Sequence, residues 1–183
     1  DDDEEKEFWF NFKSNGRKRT GGDGVGNISE KKINGKRYGF DYRGVMTSQW
    51  TVVTTYANIG SGSNVKDWKY FSSPEDGARA TKGWFKVVAP EEDNDNVFTT
   101  YNEDISFALS DADDEQERWY YADGNGELYA GKIKKIKGKY YAFRPEGDGH
   151  SAAMLNGLVL MEVRGDNVIS VLDDDVDADD LDM

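Results

Sequence analysis

The residue types that could carry catalytic chemistry are scarce in this chain of 183 residues, and their spacing does not assemble them. There is no Cys, which removes thiol nucleophiles, disulfide frameworks and Cys-built zinc sites. The single His, His150 in Asp148-Gly149-His150-Ser151, excludes any site that needs two imidazoles, and no Ser–His–acid constellation can be drawn around it from sequence. Carboxylates abound, as in Asp113-Asp114, but nothing sets two of them across a cleft as glycoside hydrolysis requires. Asp123, Asn125 and Glu127 alternate like the start of a calcium loop, yet the sixth position is Leu128, where the sharp turn needs Gly. A hairpin turn explains Asp123-Gly124-Asn125-Gly126 better. The acidic run Asp173, Asp174, Asp175, Asp177, Asp179, Asp180 lacks both that Gly and a closing bidentate Glu. Gly21-Gly22-Asp23-Gly24-Val25-Gly26 lacks the flanking strand and helix of a dinucleotide loop and reads as a flexible loop. Arg164-Gly165-Asp166 spells an integrin-recognition tripeptide, but between apolar stretches 158–163 and 168–172 it reads as a tight turn. The expectation is a protein that is not an enzyme, with no catalytic residue, no metal and no cofactor.

What the chain has in quantity is rings and unevenly placed charge. Aromatic residues make up 13 % of it, and 23 bases face 36 acids, a net charge of −13. Residues 1–5 hold five acids, 173–182 hold seven and 91–117 hold eleven, with no base in any of them. Outside those stretches 13 acids meet all 23 bases, a balance of +10: a basic body with acidic appendages. Blocks of like charge with few large apolar residues do not offset their ordering entropy, so residues 1–5 and 173–183 are expected to be disordered. No apolar run approaches the roughly 18 residues of a membrane span. No charged-then-apolar leader opens the chain, as for a protein whose leader was removed or a piece of something longer. Neither nucleic acid nor membrane insertion is expected, and the lack of Cys leaves the compartment open.

The rings recur in register. Trp9-Phe10-Asn11-Phe12 leads to Gly16, Arg37-Tyr38-Gly39-Phe40 to Gly44, Trp119-Tyr120-Tyr121 to Gly126, and Tyr140-Tyr141-Ala142-Phe143 to Gly147. From first residue to last Gly the interval is seven each time, and Trp68-Lys69-Tyr70-Phe71 leads to Gly77 with two extra residues. Each copy reads as a hairpin: an aromatic strand, a Gly-containing turn, then a short second strand such as Glu127-Leu128-Tyr129-Ala130 or Ala78-Arg79-Ala80-Thr81. A lone hairpin is marginal in water, so each must lay its aromatic face on a neighbour. The fold expected is all-β, a stacked β-hairpin solenoid of about five repeats with irregular insertions. Repeats 1–2 occupy 6–50, an insertion 51–66, repeat 3 67–88, an acidic insertion 89–117 and repeats 4–5 118–157, with a terminal hairpin over 158–172. Within the acidic insertion, 97–101 could be a strand and 105–109 a strand or one helical turn.

Trp68-Lys69-Tyr70-Phe71 followed by Gly77-Ala78-Arg79-Ala80-Thr81-Lys82-Gly83-Trp84 resembles the cell-wall-binding repeats of Gram-positive surface proteins, the superfamily of choline-binding, glucan-binding and clostridial-toxin-type aromatic repeats. Arg118-Trp119-Tyr120-Tyr121 and Gly138-Lys139-Tyr140-Tyr141-Ala142-Phe143 look like further, degenerate copies. The resemblance implies an exported, non-catalytic module, secreted or at the bacterial cell surface, holding cell-wall glycan or teichoic acid between consecutive hairpins. In the choline-binding branch aromatic cages hold a quaternary ammonium by cation–π attraction. The family pattern carries the ligand-binding positions onto Trp50 with Trp68, and onto Trp84 with Trp119 and Tyr121. Lys132 stands where a Trp is expected before Tyr140, and insertions separate the other pairs, so choline ranks below glycan and anionic wall polymer. The basic body favours the polymer. A competing reading is a degenerate repeat scaffold or spacer for protein–protein interaction with no glycan site.

Overall fold

The computed structural model describes residues 7–22, 28–53, 65, 68–72, 82–89, 116–146 and 150–174. Their regular structure is all β: β1 (Ser29–Ile33), β2 (Lys36–Phe40), β3 (Gln49–Val52), β4 (Trp68–Phe71), β5 (Gly83–Val88), β6 (Glu117–Ala122), β7 (Lys132–Ile136), β8 (Lys139–Phe143), β9 (Leu160–Arg164) and β10 (Asn167–Asp173). Strands pair antiparallel with their sequence neighbours, β1 with β2, β3 with β4, β5 with β6, β7 with β8 and β9 with β10, and β10 also touches β7. The pairs are small separate sheets except at the C-terminal end, where the order is β8-β7-β10-β9.

The seven-residue interval has a physical basis in one turn used repeatedly. At Lys13, Asp41 and Asp123 the amide donates to the carbonyl four residues on, and the Gly three residues on donates back. Those glycines, Gly16, Gly44 and Gly126, all sit near φ +80°, a left-handed conformation that a side chain disfavours. The chain then returns beside the aromatic strand through Arg19 N to Asn11 O, Thr47 N to Gly39 O and Tyr129 N to Tyr121 O. Asp41 and Asp123 brace the turn with their own carboxylates: Oδ1 of Asp123 accepts from the amides of Asn125 at 2.8 Å and Glu127 at 3.0 Å. Oδ1 of Asp41 accepts likewise from Arg43 and Val45. The carboxylate that suggested a calcium loop is thus occupied in holding a turn.

The ladders correct the reading of where each hairpin lies. Beyond the turn only isolated bridges form, Phe12 with Lys18, Phe40 with Met46, Ala122 with Leu128 and Phe143 with Met154. Each aromatic strand instead pairs along its length with the strand leaving the previous copy: β2 with β1, β4 with β3, β6 with β5, β8 with β7. The hairpin loops are Asn34-Gly35 and Lys137-Gly138, both residues at positive φ as a tight two-residue connection demands. The connections between β3 and β4 and between β5 and β6 are long and fall mostly outside the described residues. So do residues 73–81, with Ala78-Arg79-Ala80-Thr81, and 97–101 and 105–109.

The β5–β6 hairpin presents a ring face on each side, as period-two alternation dictates. On one side Phe85 and Tyr120 join Trp50 and Tyr70 in a core that also holds Trp68, Val65 and Leu128. On the other, Trp84 and Tyr121 pack with Tyr129, Tyr141 and Phe143. Phe40, Phe71 and Phe143 are buried. β9 and β10 turn tightly at Gly165-Asp166 between Arg164 and Asn167. Two residues of the expected acidic tail are described: Asp173 closes β10 and the Asp174 carboxylate accepts from Arg144. Residues 1–5 and the rest of that run lie outside the described residues.

Candidate functional site

In β5 and β6, Trp84 stands opposite Tyr121 and Lys86 opposite Trp119, which places all four on one face. Trp84 is the hub. Its ring centroid lies 4.8 Å from Tyr141, 5.1 Å from Tyr121, 5.7 Å from Phe143 and 6.2 Å from Trp119. Tyr129, just past the Asp123 turn, stacks on Tyr121 at 5.0 Å and meets Phe143 at 5.7 Å. The predicted group Trp84, Trp119 and Tyr121 is therefore brought together, with Tyr121 buried, Trp84 half-buried and Trp119 42 % exposed.

The other predicted pair is placed differently. Trp50 and Trp68 share the first core at 3 % and 0 % exposure, and the Trp50 indole donates to the Val88 carbonyl at 2.7 Å. With no open ring face they pack repeats against each other; Trp50 sits opposite Tyr70 in the β3–β4 ladder, and its side chain is drawn in by burial of apolar area. A second correction concerns Lys132. Trp50 faces Tyr70 and Trp84 faces Tyr121, the second rung of the ladder in each case, and the residue on that rung in β7 is Ile133, opposite Ala142.

The structure also adds residues that sequence reasoning passed over. Lys86 lies over Trp119 at 6.0 Å, Lys134 over Tyr129 at 5.1 Å and Lys135 over Tyr140 at 5.5 Å. The same pairing recurs with Lys18 on Phe10 and Arg43 on Tyr42. Tyr140 is the most exposed large ring among the described residues, at 72 %. The signal was present in Lys132-Ile133-Lys134-Lys135-Ile136 facing Lys139-Tyr140-Tyr141, a basic strand opposite an aromatic one. Burial, then the neighbouring Tyr121 and Asp123, holds the Tyr129 phenol above its ordinary pKa, so it stays a neutral donor and acceptor.

Beside these rings lies a surface cavity of about 600 Å³, walled by Tyr129, Lys132, Lys134, Asp123, Glu127 and Glu146. Its chemistry is that of recognition: a ring edge, two ammonium groups and carboxylates. The lone His150 contacts Arg118 at 3.3 Å through Nε2.

No protein-family model and no curated protein matches the chain. Among solved structures it is similar to choline binding protein F from Streptococcus pneumoniae, at 19 % identity and TM-score 0.45, the match covering 90 % of this chain and 43 % of that one. It is similar also to CbpJ from Streptococcus pneumoniae, at 16 % identity and TM-score 0.42, covering 85 % of this chain and 54 % of that one, so that the chain spans about half the length of either.

Proposed function

We propose that the chain is a non-catalytic module, secreted or at the cell surface, that binds an anionic glycan polymer of the bacterial wall through Trp119, Tyr129 and Tyr140 and the lysines beside them. The observation that carries this reading is the lysine set against each of those rings. An exposed ring offers a sugar its flat apolar face, and an ammonium beside it serves a phosphate or carboxylate on the same chain. A quaternary ammonium meets the opposite situation. The attractive ring face already has a cation over it, and a second one is repelled, which places choline below wall polymer as ligand. Several weak contacts on one repeating polymer gain by effective concentration without any strong single site.

Retention on purified peptidoglycan, with and without teichoic acid, tests this. Retention is expected on the teichoic-acid-bearing wall, to fall as salt is raised, and to drop about tenfold in Trp119→Ala and in a Lys134→Ala/Lys135→Ala pair, equivalent to ~1.4 kcal/mol. Retention indifferent to both variants, or displaced by choline alone, would overturn the reading. No retention on either wall would favour the scaffold.

A further inference from the structure

The cavity beside Tyr129 is lined by both signs of charge, and they do not neutralise each other. Asp123, Glu127 and Glu146 share its wall with Lys132 and Lys134. Three of these side chains are already engaged. Oδ1 of Asp123 braces the turn through the amides of Asn125 and Glu127, the Glu146 carboxylate accepts from the Val65 amide, and Lys134 lies over the Tyr129 ring. Glu127 and Lys132 remain. Both side chains are exposed, and neither makes a hydrogen bond or an ion pair among the described residues, although opposite charges on one cavity attract. Their positions are fixed by the backbone. Glu127 closes the Asp123 turn, its carbonyl accepting from the Asp123 amide at 2.8 Å. Lys132 opens β7 directly after Gly131, whose amide donates to Arg144 O at 3.0 Å and whose carbonyl accepts from Val168 N at 2.9 Å. A Cβ on Gly131 would lie 3.3 Å from the Val168 carbonyl oxygen, so β7 enters pressed against β10.

We propose that this cavity is a second binding site, for a small zwitterion of the amino-acid and short-peptide class, whose ammonium pairs with Glu127 and whose carboxylate pairs with Lys132. The apolar part of such a ligand lies along Leu128 and the Tyr129 ring, which line the same wall. A ligand of one sign gains one of these partners and meets the other as a like charge, whereas a zwitterion satisfies both. At about 600 Å³ the cavity has the size usual for small-molecule sites. Its two charged arms are anchored before the ligand arrives, so little ordering opposes binding. Both arms are exposed, which limits each ion pair to about a fivefold gain in affinity and makes the binding weak. The site shares Tyr129 and Lys134 with the polymer contacts proposed above but does not rest on them.

Titration of the whole chain with alanyl-alanine, followed by the amide resonances of residues 127–132, reads the site directly. Saturable shifts are expected, and the N-acetylated and the C-amidated dipeptide should each bind about fivefold more weakly, having lost one charge. Glu127→Gln should make the free and N-acetylated dipeptides bind alike, and Lys132→Gln the free and amidated ones. Both substitutions fall on exposed side chains, so the fold is kept. Absence of saturable shifts, equal binding of all three dipeptides, or variants that weaken all three alike would each overturn the assignment. A chain that takes the dipeptide but is not retained on the wall keeps this site and loses the polymer reading; a chain retained on the wall that ignores the dipeptide does the reverse.

Discussion

Gly39 gives the sharpest test of whether the copies stack. It lies in β2 opposite Glu30, with ordinary strand geometry, so alanine there suffers no backbone strain. A Cβ at that position would lie 2.8 Å from Ile28 Cγ2, 2.9 Å from Thr47 Oγ1 and 3.0 Å from Phe71 Cε1. Phe71 belongs to the next aromatic strand and is 0 % exposed, and Thr47 is 4 % exposed, so neither can swing aside into solvent. In an isolated strand Gly39→Ala would stabilise by about 0.5–1 kcal/mol, because glycine loses more backbone freedom. Overpacking of a filled core costs about 1–3 kcal/mol, which outweighs that gain and leaves a net loss of about 1–2 kcal/mol. Urea unfolding should therefore show a lower midpoint at unchanged slope. Phe71→Leu shortens the offending ring, so the double variant should lose less than the two single losses combined, with a coupling of about 0.5 kcal/mol or more. Gly35→Ala is the control, since it is strained at φ +83° but meets nothing within 4 Å, and it should show no coupling to Phe71. A neutral or stabilising Gly39→Ala, or one uncoupled from Phe71, would refute the packing of the second copy on the third.

Two further measurements bear on core and site. Trp50→Phe removes the 2.7 Å bond to Val88 O and part of a ring packed on Tyr70, Phe85 and Tyr120; it should cost about 2–3 kcal/mol in urea unfolding yet leave wall retention intact while the protein is folded, and lost retention would move Trp50 into the binding face. Burial raises the phenol pKa of Tyr70 and, first among its causes, that of Tyr129, so the folded state keeps protons that the unfolded chain releases. Their contribution is whole below the ordinary value near 10 and is lost as pH rises through the folded values; the urea midpoint should therefore fall as pH is raised past about 10, and Tyr129→Phe should flatten the fall.

The turn was legible in the sequence and the ladder was not, for a physical reason. The turn is local: Gly16, Gly44 and Gly126 need left-handed backbone three residues after its first residue, so an interval of seven survives in the text. Ladder partners lie across a connection whose length hardly matters. Closing 28 residues between Val88 and Glu117 in place of the two of Lys137-Gly138 costs only about 2 kcal/mol by loop entropy, so the spacing drifts while pairing persists. Assigning the hairpin to the legible turn put its loop at the wrong end. The same drift misplaced Lys132, one residue ahead of the position that Trp50 and Trp84 occupy in register. Trp50 and Trp84 look alike in sequence, each at the start of an outgoing strand, and both are covered by the next hairpin; they part company in how completely, Trp50 being sealed by Phe85 and Tyr120 while Trp84 stays half-buried under Tyr141 and Phe143.

That difference bears on how a repeat array can change ligand without changing fold. Between-copy packing is met by Phe85, Tyr120, Trp50 and Tyr70 on one face and by Trp84 against Tyr141 and Phe143 on the other, and it fixes those rings whatever is bound. The opposite face of the same hairpin carries Trp119 and Lys86, which are exposed and make no demand on the core. Along β5, Trp84 and Phe85 each pack on a neighbouring copy, and Lys86 is exposed beside them. A cation set over a ring turns a site that would attract ammonium into one suited to a sugar bearing negative charge, and the exchange leaves Phe85 and Tyr120 untouched. Removing Lys86 should then raise the affinity of Trp119 for cations while leaving the unfolding midpoint in place, because the ring is held by Trp84 and not by the lysine.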